Sequence, residues 1–292
     1  MNHIEAGVLN IAYREEGDPK GKPVLLLHGF PYDIHAYDTV APLLASQGRR
    51  VIIPYLRGFG QTRFVNKDTP RSGQQAALAH DLLALMDVLS IGQATLAGYD
   101  WGGRAACIVA ALRPERVKGL VSCCGYNIHN IPDSVHPEPP ENEYRYWYQY
   151  YFHGERGRAG LERNRYEFCR LLWRLWSPHW HFSENVYQQT ADSFHNPDFV
   201  EVVIHSYRHR FGLADGDPEL EKTERQLTHQ PQIPVPAIVL HGEADGVIAV
   251  EASANHERFF TNTYERRILP TAGHNVPQEN PNDFAEAVLS FD

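Results

Sequence analysis

Short, continuous apolar runs alternate with amphipathic stretches along the first half of the chain. The runs at residues 23–27, 50–54 and 94–97 are typical of strands that are buried on both faces. Residues 74–89 repeat apolar side chains every three or four positions, as an amphipathic helix does. The same patterns predict helices at 36–47 and 102–112 and a strand at 117–123. Alternating strands and helices predict an α/β protein with a mostly parallel, doubly wound sheet.

This pattern is interrupted after Tyr126 and resumes at Pro236. The intervening residues are rich in aromatic side chains, and their spacing predicts helices within residues 143–180, 185–194 and 198–211. A polar segment at 212–234 ends the insert. After it we predict a strand at 236–240, a helix at 249–260, a strand at 265–269 and a last helix from Asp283. We therefore predict a core formed by residues 1–127 and 233–292, interrupted by a helical cap at 128–232.

Charge and composition exclude several classes of function. A formal net charge of −9 gives no basic face for nucleic acid or for an anionic membrane. No apolar run approaches the ~18 residues of a membrane-spanning helix, and the N-terminus does not resemble a signal peptide. The four cysteines show no C-x-x-C pair and are expected to be buried free thiols, which fits a cytoplasmic protein. The sixteen histidines are scattered without ligand spacing, so no metal site is expected.

The most specific motif is Gly98-Tyr99-Asp100-Trp101-Gly102, which follows the strand at 94–97. Its glycines match the Gly-x-nucleophile-x-Gly elbow, in which a strand turns sharply into a helix and presents one side chain to a cleft. Serine usually occupies that position, but here it is Asp100. A carboxylate is ionised at neutral pH and needs no base to become a nucleophile. It suits attack on a saturated carbon, which would leave an alkyl ester on the enzyme. The alternative is an ordinary turn or N-cap aspartate.

Two later positions complete a catalytic set. Asp245 follows the strand at 236–240, and His274 follows the strand at 265–269, so all three residues are expected at the carboxyl edge of the sheet. His274 would take a proton from the water that hydrolyses the ester, and Asp245 would orient the imidazole. Glu243 is a rival for the role of the acid.

A tetrahedral oxyanion on the ester also needs hydrogen-bond donors. The backbone N–H of Trp101, directly after the nucleophile, can supply one. We expect the second from Phe30, in the segment His28-Gly29-Phe30-Pro31.

These motifs resemble the α/β-hydrolase superfamily, specifically its epoxide hydrolase and haloalkane dehalogenase branch, and the resemblance covers nearly the whole chain. It implies an α/β-hydrolase fold, a cis peptide bond before Pro31 and no cofactor. The elbow is close to the epoxide hydrolase form, which has His where this chain has Tyr99. Haloalkane dehalogenases more often carry Asn at the position of Phe30. Tyr55 stands where relatives usually carry Asp, so its loop is expected to be stabilised differently.

The resemblance also implies roles for two tyrosines of the cap. Tyr148 begins a stretch similar to the motif whose first tyrosine binds the epoxide oxygen, and Tyr207 stands in the setting of the second. Phenols remain protonated at neutral pH, so they can hydrogen-bond the oxygen of an opening epoxide and then protonate it. Tyr150 and Tyr151 are rivals, and any tyrosine in so aromatic a segment can serve packing alone.

The sequence leaves three functions open. The leading prediction is an epoxide hydrolase acting on a small apolar epoxide, the second is a dehalogenase of alkyl halides or haloacids, and the third is a ligand-binding protein without turnover. Arg104 stands where fluoroacetate dehalogenases have one of two carboxylate-binding arginines, but Trp101 occupies the other position, and a structural role on the helix is the alternative. A homodimer is possible through the aromatic cap.

Overall fold

One mixed sheet runs through the structure, a computed structural model that describes residues 1–291. Within that range the strand order is β1-β2-β4-β3-β6-β7-β8-β9, and β5 pairs with β2. Strands β3, β4, β6, β7, β8 and β9 are parallel, whereas β1, β2 and β5 pair antiparallel. The strands are β1 Asn2–Ala6, β2 Leu9–Gly17, β3 Lys22–Leu27, β4 Arg49–Pro54, β5 Arg63–Phe64, β6 Ala94–Gly98, β7 Val117–Cys123, β8 Ala237–Gly242 and β9 Tyr264–Leu269.

Helices connect the parallel strands, and others follow β7 before the chain returns to the sheet. The helices are α1 Val40–Ser46, α2 Gln75–Val88, α3 Asp100–Leu112, α4 Pro140–Arg145, α5 Trp147–His153, α6 Glu155–Trp176, α7 Glu184–Ala191, α8 Phe199–Arg210, α9 Glu221–Leu227, α10 Val276–Glu279 and α11 Pro281–Leu289. The predicted α/β class with a mostly parallel sheet is confirmed. None of the helices in residues 1–291 has the length and apolar character that a membrane crossing requires.

The register of the central strands brings the predicted site together. Leu27 pairs with Gly98, so the loops after β3 and β6 leave the sheet side by side. Gly242 pairs with Leu269, which places the loops after β8 and β9 next to each other. Parallel strands end at one edge of the sheet, and these loops therefore share that edge.

Helices α4 to α9 lie between β7 and β8, where the sequence predicts the cap. The helical spacing predicted through residues 143–180 is divided among α4, α5 and α6, because Tyr146 and Gly154 interrupt it. Gly154 has an extended backbone, with φ −96° and ψ 163°, which no helix accommodates. The polar segment 212–234 also contains α9. The boundaries of the cap at 128 and 232 stay a proposal.

The helix predicted at 249–260 is wrong. The structure has two short 3₁₀ turns there, Val250–Ser253 and His256–Phe259, separated near Asn255. Polar side chains in this segment bond outside it: Nδ1 of His256 accepts the backbone N–H of Tyr126 at 3.0 Å. Tertiary hydrogen bonds therefore override the helical spacing.

Candidate active site

Asp100 sits at a strained point of the backbone between β6 and α3. Its φ is +48°, in the left-handed region that a residue with a side chain adopts only under constraint. The neighbouring backbones approach so closely that a Cβ on Gly102 would lie 2.0 Å from the carbonyl oxygen of Leu27. A Cβ on Gly29 would lie 2.4 Å from the Asp100 side chain. The glycines of the elbow and of the β3 loop thus let the carboxylate stand against the end of β3.

The two oxygens of Asp100 have different surroundings. The backbone N–H of Phe30 donates to Oδ1 at 2.7 Å, and the peptide bond between Phe30 and Pro31 is cis. Oδ2 lies 3.9 Å from Nε2 of His274, too far for a hydrogen bond. Burial raises the pKa of Asp100, but the nearby His274 outweighs it and holds the pKa below its ordinary value. One oxygen is therefore fixed by a donor, and the other is available in a carboxylate that stays ionised.

His274 is held by Asp245. Nδ1 donates to Oδ2 of Asp245 at 2.8 Å, so Nε2 is the nitrogen that faces Asp100. Oδ1 of Asp245 accepts the backbone N–H groups of Val247 at 2.8 Å and Ile248 at 2.9 Å. Burial opposes charge on both partners, but their attraction raises the pKa of His274 well above its ordinary value and lowers that of Asp245. The structure brings Asp245 to the histidine, whereas the rival Glu243 is exposed.

Two supporting residues near His274 carry no signal in the sequence. The carboxylate of Glu279 accepts the backbone N–H of Gly273 at 2.7 Å and that of Asn275 at 3.0 Å. Ser177, directly after α6, donates its hydroxyl to Glu279 at 2.7 Å and accepts the N–H of His274 at 3.2 Å. The histidine loop is thus fixed from both sides, by α10 and by the end of α6.

A third supporting group is Cys124, directly after β7. Its thiol donates to Oδ2 of Asp245 at 3.3 Å. Cys124, His241 and Asp245 bring their ligand atoms within 4.8 Å of one another. His241 is already bonded to Ser253 at 2.7 Å and to the carbonyl oxygen of Ile248 at 3.1 Å. Because these groups satisfy one another, we interpret the cluster as support for Asp245 and derive no metal site from it.

A cavity of about 680 Å³ connects these groups to the cap. Asp100 and His274 line it from the sheet, and Tyr148, Gln149 and Arg210 line it from the cap. A second cavity of about 750 Å³ lies against the loop after β8, but neither Asp100 nor His274 lines it. The first cavity is therefore where a bound molecule can meet the carboxylate.

The two predicted tyrosines of the cap contact each other. The rings of Tyr148 and Tyr207 pack edge to face with centroids 5.3 Å apart, and both are buried. The Tyr148 hydroxyl accepts a hydrogen bond from Nε2 of Gln149 at 3.1 Å. The Tyr207 hydroxyl has no hydrogen-bond partner among residues 1–291. Burial raises the pKa of both phenols, and the charge of Asp100 adds to that effect, so both remain protonated.

The rival tyrosines are engaged in other contacts. Tyr150 is 38% exposed, and its hydroxyl donates to Glu143. Tyr150 also lines the cavity, but its hydroxyl is engaged by Glu143, whereas the ring of Tyr151 stacks on Phe168, with centroids 5.8 Å apart, and does not line it. On the sheet side, Phe30 stacks on Trp101 at 5.8 Å. Trp101 is the second residue of α3, in the first turn, where the backbone N–H groups have no partner within the helix.

The loop that contains Tyr55 has no aspartate at that position, and His28 and Asp81 stabilise it instead. The backbone N–H of Leu56 donates to Nε2 of His28 at 3.0 Å, and Arg57 forms a bidentate pair with Asp81 at 2.6 and 2.7 Å. Burial lowers the pKa of His28 to about 4, so this imidazole is neutral and serves as an acceptor.

Comparisons with known proteins support the fold and the motifs. The model of the alpha/beta hydrolase fold family matches residues 22–281. A solved structure provisionally named epoxide hydrolase, from Klebsiella pneumoniae subsp. pneumoniae, is 48% identical with a TM-score of 0.97. The alignment covers 99% of this chain and 96% of that one.

Two curated relatives whose names belong to this branch match over shorter stretches. "Epoxide hydrolase 2" of Siraitia grosvenorii is 42% identical over 115 residues, 38% of this chain and 35% of the relative. A "Haloalkane dehalogenase" of Psychrobacter cryohalolentis is 34% identical over 119 residues, 40% of this chain and 38% of the relative. These matches thus span little more than a third of each relative. Both names agree with the branch expected from the motifs, and the chain belongs to the alpha/beta hydrolase fold family.

Proposed function

We propose that the protein is a cofactor-independent hydrolase that opens small epoxides to vicinal diols through an alkyl ester on Asp100. One observation carries this proposal: a buried, ionised carboxylate shares a cavity with a carboxylate-held histidine and with a protonated phenol of the cap. The names of similar proteins agree with it.

In the first half-reaction, Oδ2 of Asp100 attacks an epoxide carbon. Oδ1 is held by the Phe30 N–H at 2.7 Å, which orients the free oxygen toward the cavity. The strained C–O bond breaks, and its electrons pass to the epoxide oxygen. Because an alkoxide is a poor leaving group, it must be protonated as it forms. Tyr148 and Tyr207 are the acids that we assign to this proton, since their raised pKa values keep them protonated.

In the second half-reaction, water hydrolyses the ester. Forming the ester removes the negative charge of Asp100, one of the two carboxylates that raise the pKa of His274. The imidazole can then pass its proton to the phenolate left by the first half-reaction, and the neutral imidazole takes a proton from water through Nε2. Hydroxide attacks the carbonyl carbon of the Asp100 ester, and the Phe30 and Trp101 N–H groups stabilise the oxyanion on Oδ1. Asp245 stabilises the imidazolium, and collapse of the intermediate releases the diol.

The test is one turnover of racemic styrene oxide in H₂¹⁸O with enzyme in excess. The scheme places the solvent oxygen in the Asp100 carboxylate after the first cycle, because water attacks the ester carbonyl and the diol keeps an oxygen from the protein. Mass spectrometry of the peptide containing Asp100 measures this. Diol that carries all of the label, beside an unlabelled peptide, would rule out the ester.

A dehalogenase is the second candidate, favoured by one observation. The indole Nε1–H of Trp101 is buried without a hydrogen-bond partner in the described part of the chain, and such a donor can bind a departing halide. Halide release from 1-bromobutane or fluoroacetate without diol formation from epoxides would favour this function. Binding of both substrates with no product would favour a ligand-binding protein.

We also propose a cytoplasmic location and a homodimer. The four cysteines are buried and free, which fits a reducing cytoplasm. Fractionation of the source cells would test the location, and light scattering of the purified chain would test for a homodimer.

A further inference from the structure

Two arginines, one from the sheet domain and one from the cap, line the cavity that contains Asp100. Arg104 lies one turn after Asp100 on α3, and Arg210 ends α8. Neither forms an ion pair with any group in residues 1–291. Their guanidinium groups repel each other: burial and the charge of Arg210 lower the pKa of Arg104 to about 9.

Neutral groups fix the positions of both guanidinium groups. Arg104 donates to the carbonyl oxygen of Asn127 at 3.2 Å and to Nε2 of His129 at 2.5 Å. Burial lowers the pKa of His129 far below its ordinary value, so this imidazole accepts without contributing charge. Arg210 donates through Nη1 to Gln149 at 3.3 Å.

One guanidinium nitrogen of Arg210 has no hydrogen-bond partner in the described part of the chain. Nη2 is buried and has no hydrogen-bond partner within residues 1–291, while the guanidinium stands 4.7 Å from the centroid of the Tyr207 ring. A buried cationic donor without a partner costs free energy, which an anion in the cavity would recover. The charges of Arg104 and Arg210 would also offset the repulsion between an anionic substrate and Asp100 itself.

The carboxylates near the cavity are engaged elsewhere. The buried Glu224 accepts the N–H of Ala76 at 2.9 Å and the amides of Gln74 and Gln75. At the outer rim Asp133 pairs with His136 at 2.9 Å. Glu143, also at the rim, accepts the N–H of Glu138 at 2.7 Å. Each of these three carboxylates is thus hydrogen-bonded to groups other than the two arginines.

We propose that Arg104 and Arg210 form a subsite for a carboxylate, so that the preferred substrate is an epoxide that bears an anionic carboxylate group. This inference deepens the proposed function, because the carboxylate would be held in the same cavity in which Asp100 attacks. The guanidinium groups bind and orient this group, and the reacting carbon then lies between Asp100 and the two phenols.

The first experiment needs neither turnover nor a variant. We compare binding of 3-phenylpropanoate and of 3-phenylpropanamide to the unmodified protein by calorimetry at pH 7. The two molecules share size and shape, but only the first is charged. Because hydrogen bonds to charged groups are the stronger ones, we expect the carboxylate to bind about tenfold more tightly or better. Equal or weaker binding of the carboxylate overturns the subsite, whatever the enzyme catalyses.

The second experiment assigns the preference to the arginines. We compare kcat/KM for 3-phenylglycidate and for its neutral amide, and take the ratio, so that any general loss of activity cancels. Arg210→Met is expected to lower the ratio about tenfold. Arg210→Lys, which keeps the charge, should restore part of it. Arg174→Met removes an exposed charge of α6 outside the cavity and should leave the ratio unchanged.

The outcomes separate the two proposals. A ratio unaffected by Arg210→Met and by Arg104→Met would overturn the subsite while leaving epoxide hydrolysis intact. Failure of both epoxides to react would count against the proposed function, and the calorimetric comparison would still decide the subsite. If the Met variants do not fold, binding of 3-phenylpropanoate to the unmodified protein is measured at low and at high salt instead. The subsite predicts that the carboxylate binds more tightly than the amide at low salt and that this preference weakens at high salt. A preference that is absent at low salt overturns the subsite.

Discussion

The two walls of the cavity differ in how many of their polar atoms have hydrogen-bond partners within the protein. The sheet wall consists of Asp100 and His274, which line the cavity, and of Phe30 and Asp245, which hold them. Oδ1 of each carboxylate accepts backbone N–H groups and Oδ2 of Asp245 accepts the imidazole, so that only Oδ2 of Asp100 is left free to react. The cap wall consists of Tyr148 and Arg210, which line the cavity, and of Tyr207, which packs against Tyr148. The Tyr207 hydroxyl and one Arg210 nitrogen have no partner in residues 1–291. Burying such groups costs about 1–3 kcal/mol each.

This difference implies that the two walls are organised for substrate in different ways. The sheet wall is organised before substrate arrives, because its bonds run between protein groups and fix the reacting atoms. The cap wall is held by aromatic packing, with Tyr207 contacting Phe30 at 5.6 Å and Phe152 at 5.5 Å between ring centroids. The Tyr207 hydroxyl and Nη2 of Arg210 are left without a partner among residues 1–291, and we expect a ligand to satisfy Nη2. Chemistry common to all substrates therefore belongs to the sheet wall, and recognition of a particular substrate to the cap wall.

The largest expected effect comes from removing the nucleophile. Asp100→Asn replaces the anionic oxygen with an amide that cannot attack carbon, and we expect kcat for styrene oxide to fall by about 10⁴-fold or more. Diol formation measured by chromatography checks this, with intact-protein mass excluding deamidation. Asp133→Asn removes a carboxylate at the rim of the same cavity and serves as the control. Full activity of the Asp100→Asn variant without deamidation would contradict the sheet wall's role.

A second substitution separates the two half-reactions. His274→Gln keeps the nucleophile but removes the base, so alkylation should proceed and hydrolysis should slow by about 10³-fold. The measurement is the intact mass of the protein after mixing with styrene oxide, which should rise by the mass of one substrate. An unshifted mass together with lost activity would mean that His274 is needed before the ester forms. The double variant that combines Asp100→Asn with His274→Gln controls for alkylation elsewhere.

The cap wall should respond less, and in a way that depends on the leaving group. Tyr148→Phe and Tyr207→Phe each remove one acid, and we expect each to lower kcat/KM for epoxides by about 10- to 100-fold, with a larger loss in the double variant. Turnover of an alkyl halide, if it occurs, should fall less, because a halide leaves without a proton. Tyr150→Phe, exposed and bonded to Glu143, is the matched control. Equal losses for all three variants would assign the cap tyrosines to packing.

The smallest effect concerns stability beneath the sheet wall. His28 is buried and neutral, with its pKa lowered to about 4 from an ordinary 6.5. The unfolded chain therefore binds a proton that the folded one does not between these values, and stability falls as pH falls through this window. Within this window the residue changes the free energy of unfolding by about 1.4 kcal/mol per pH unit. Denaturant unfolding between pH 4 and 6.5 should show a shallower slope for His28→Gln than for the unmodified protein, and identical slopes would contradict this account.

The sheet wall could be predicted from sequence because its geometry is local. Asp100 lies between glycines that only a tight elbow requires, and its φ of +48° agrees with that motif. Asp245 and His274 each follow a buried strand, so strand order alone brings them to one edge.

The cap wall and the groups that support His274 could not be predicted in this way. They depend on contacts between segments that are distant in the sequence, which no short sequence pattern encodes. Arg210 reaches the cavity only because α8 packs over Phe30, and nothing around it in the sequence marks it as a binding residue. Ser177 and Glu279 support the histidine loop from positions 102 residues apart. The helix predicted at 249–260 failed for the same reason, since His256 bonds to Tyr126 across the fold.

One contact of α6 has a mechanical consequence. The carbonyl oxygen of Trp176 accepts the N–H of Gly246 at 2.9 Å and that of His274 at 3.1 Å, so this end of the cap is tied to both loops that carry the acid and the base. A cap that swung open here would pull the imidazole away from its partner. We therefore expect the cap to pivot about this end and to admit and release small molecules past residues 130–138, and amide exchange should be slow at Gly246 and fast along that rim.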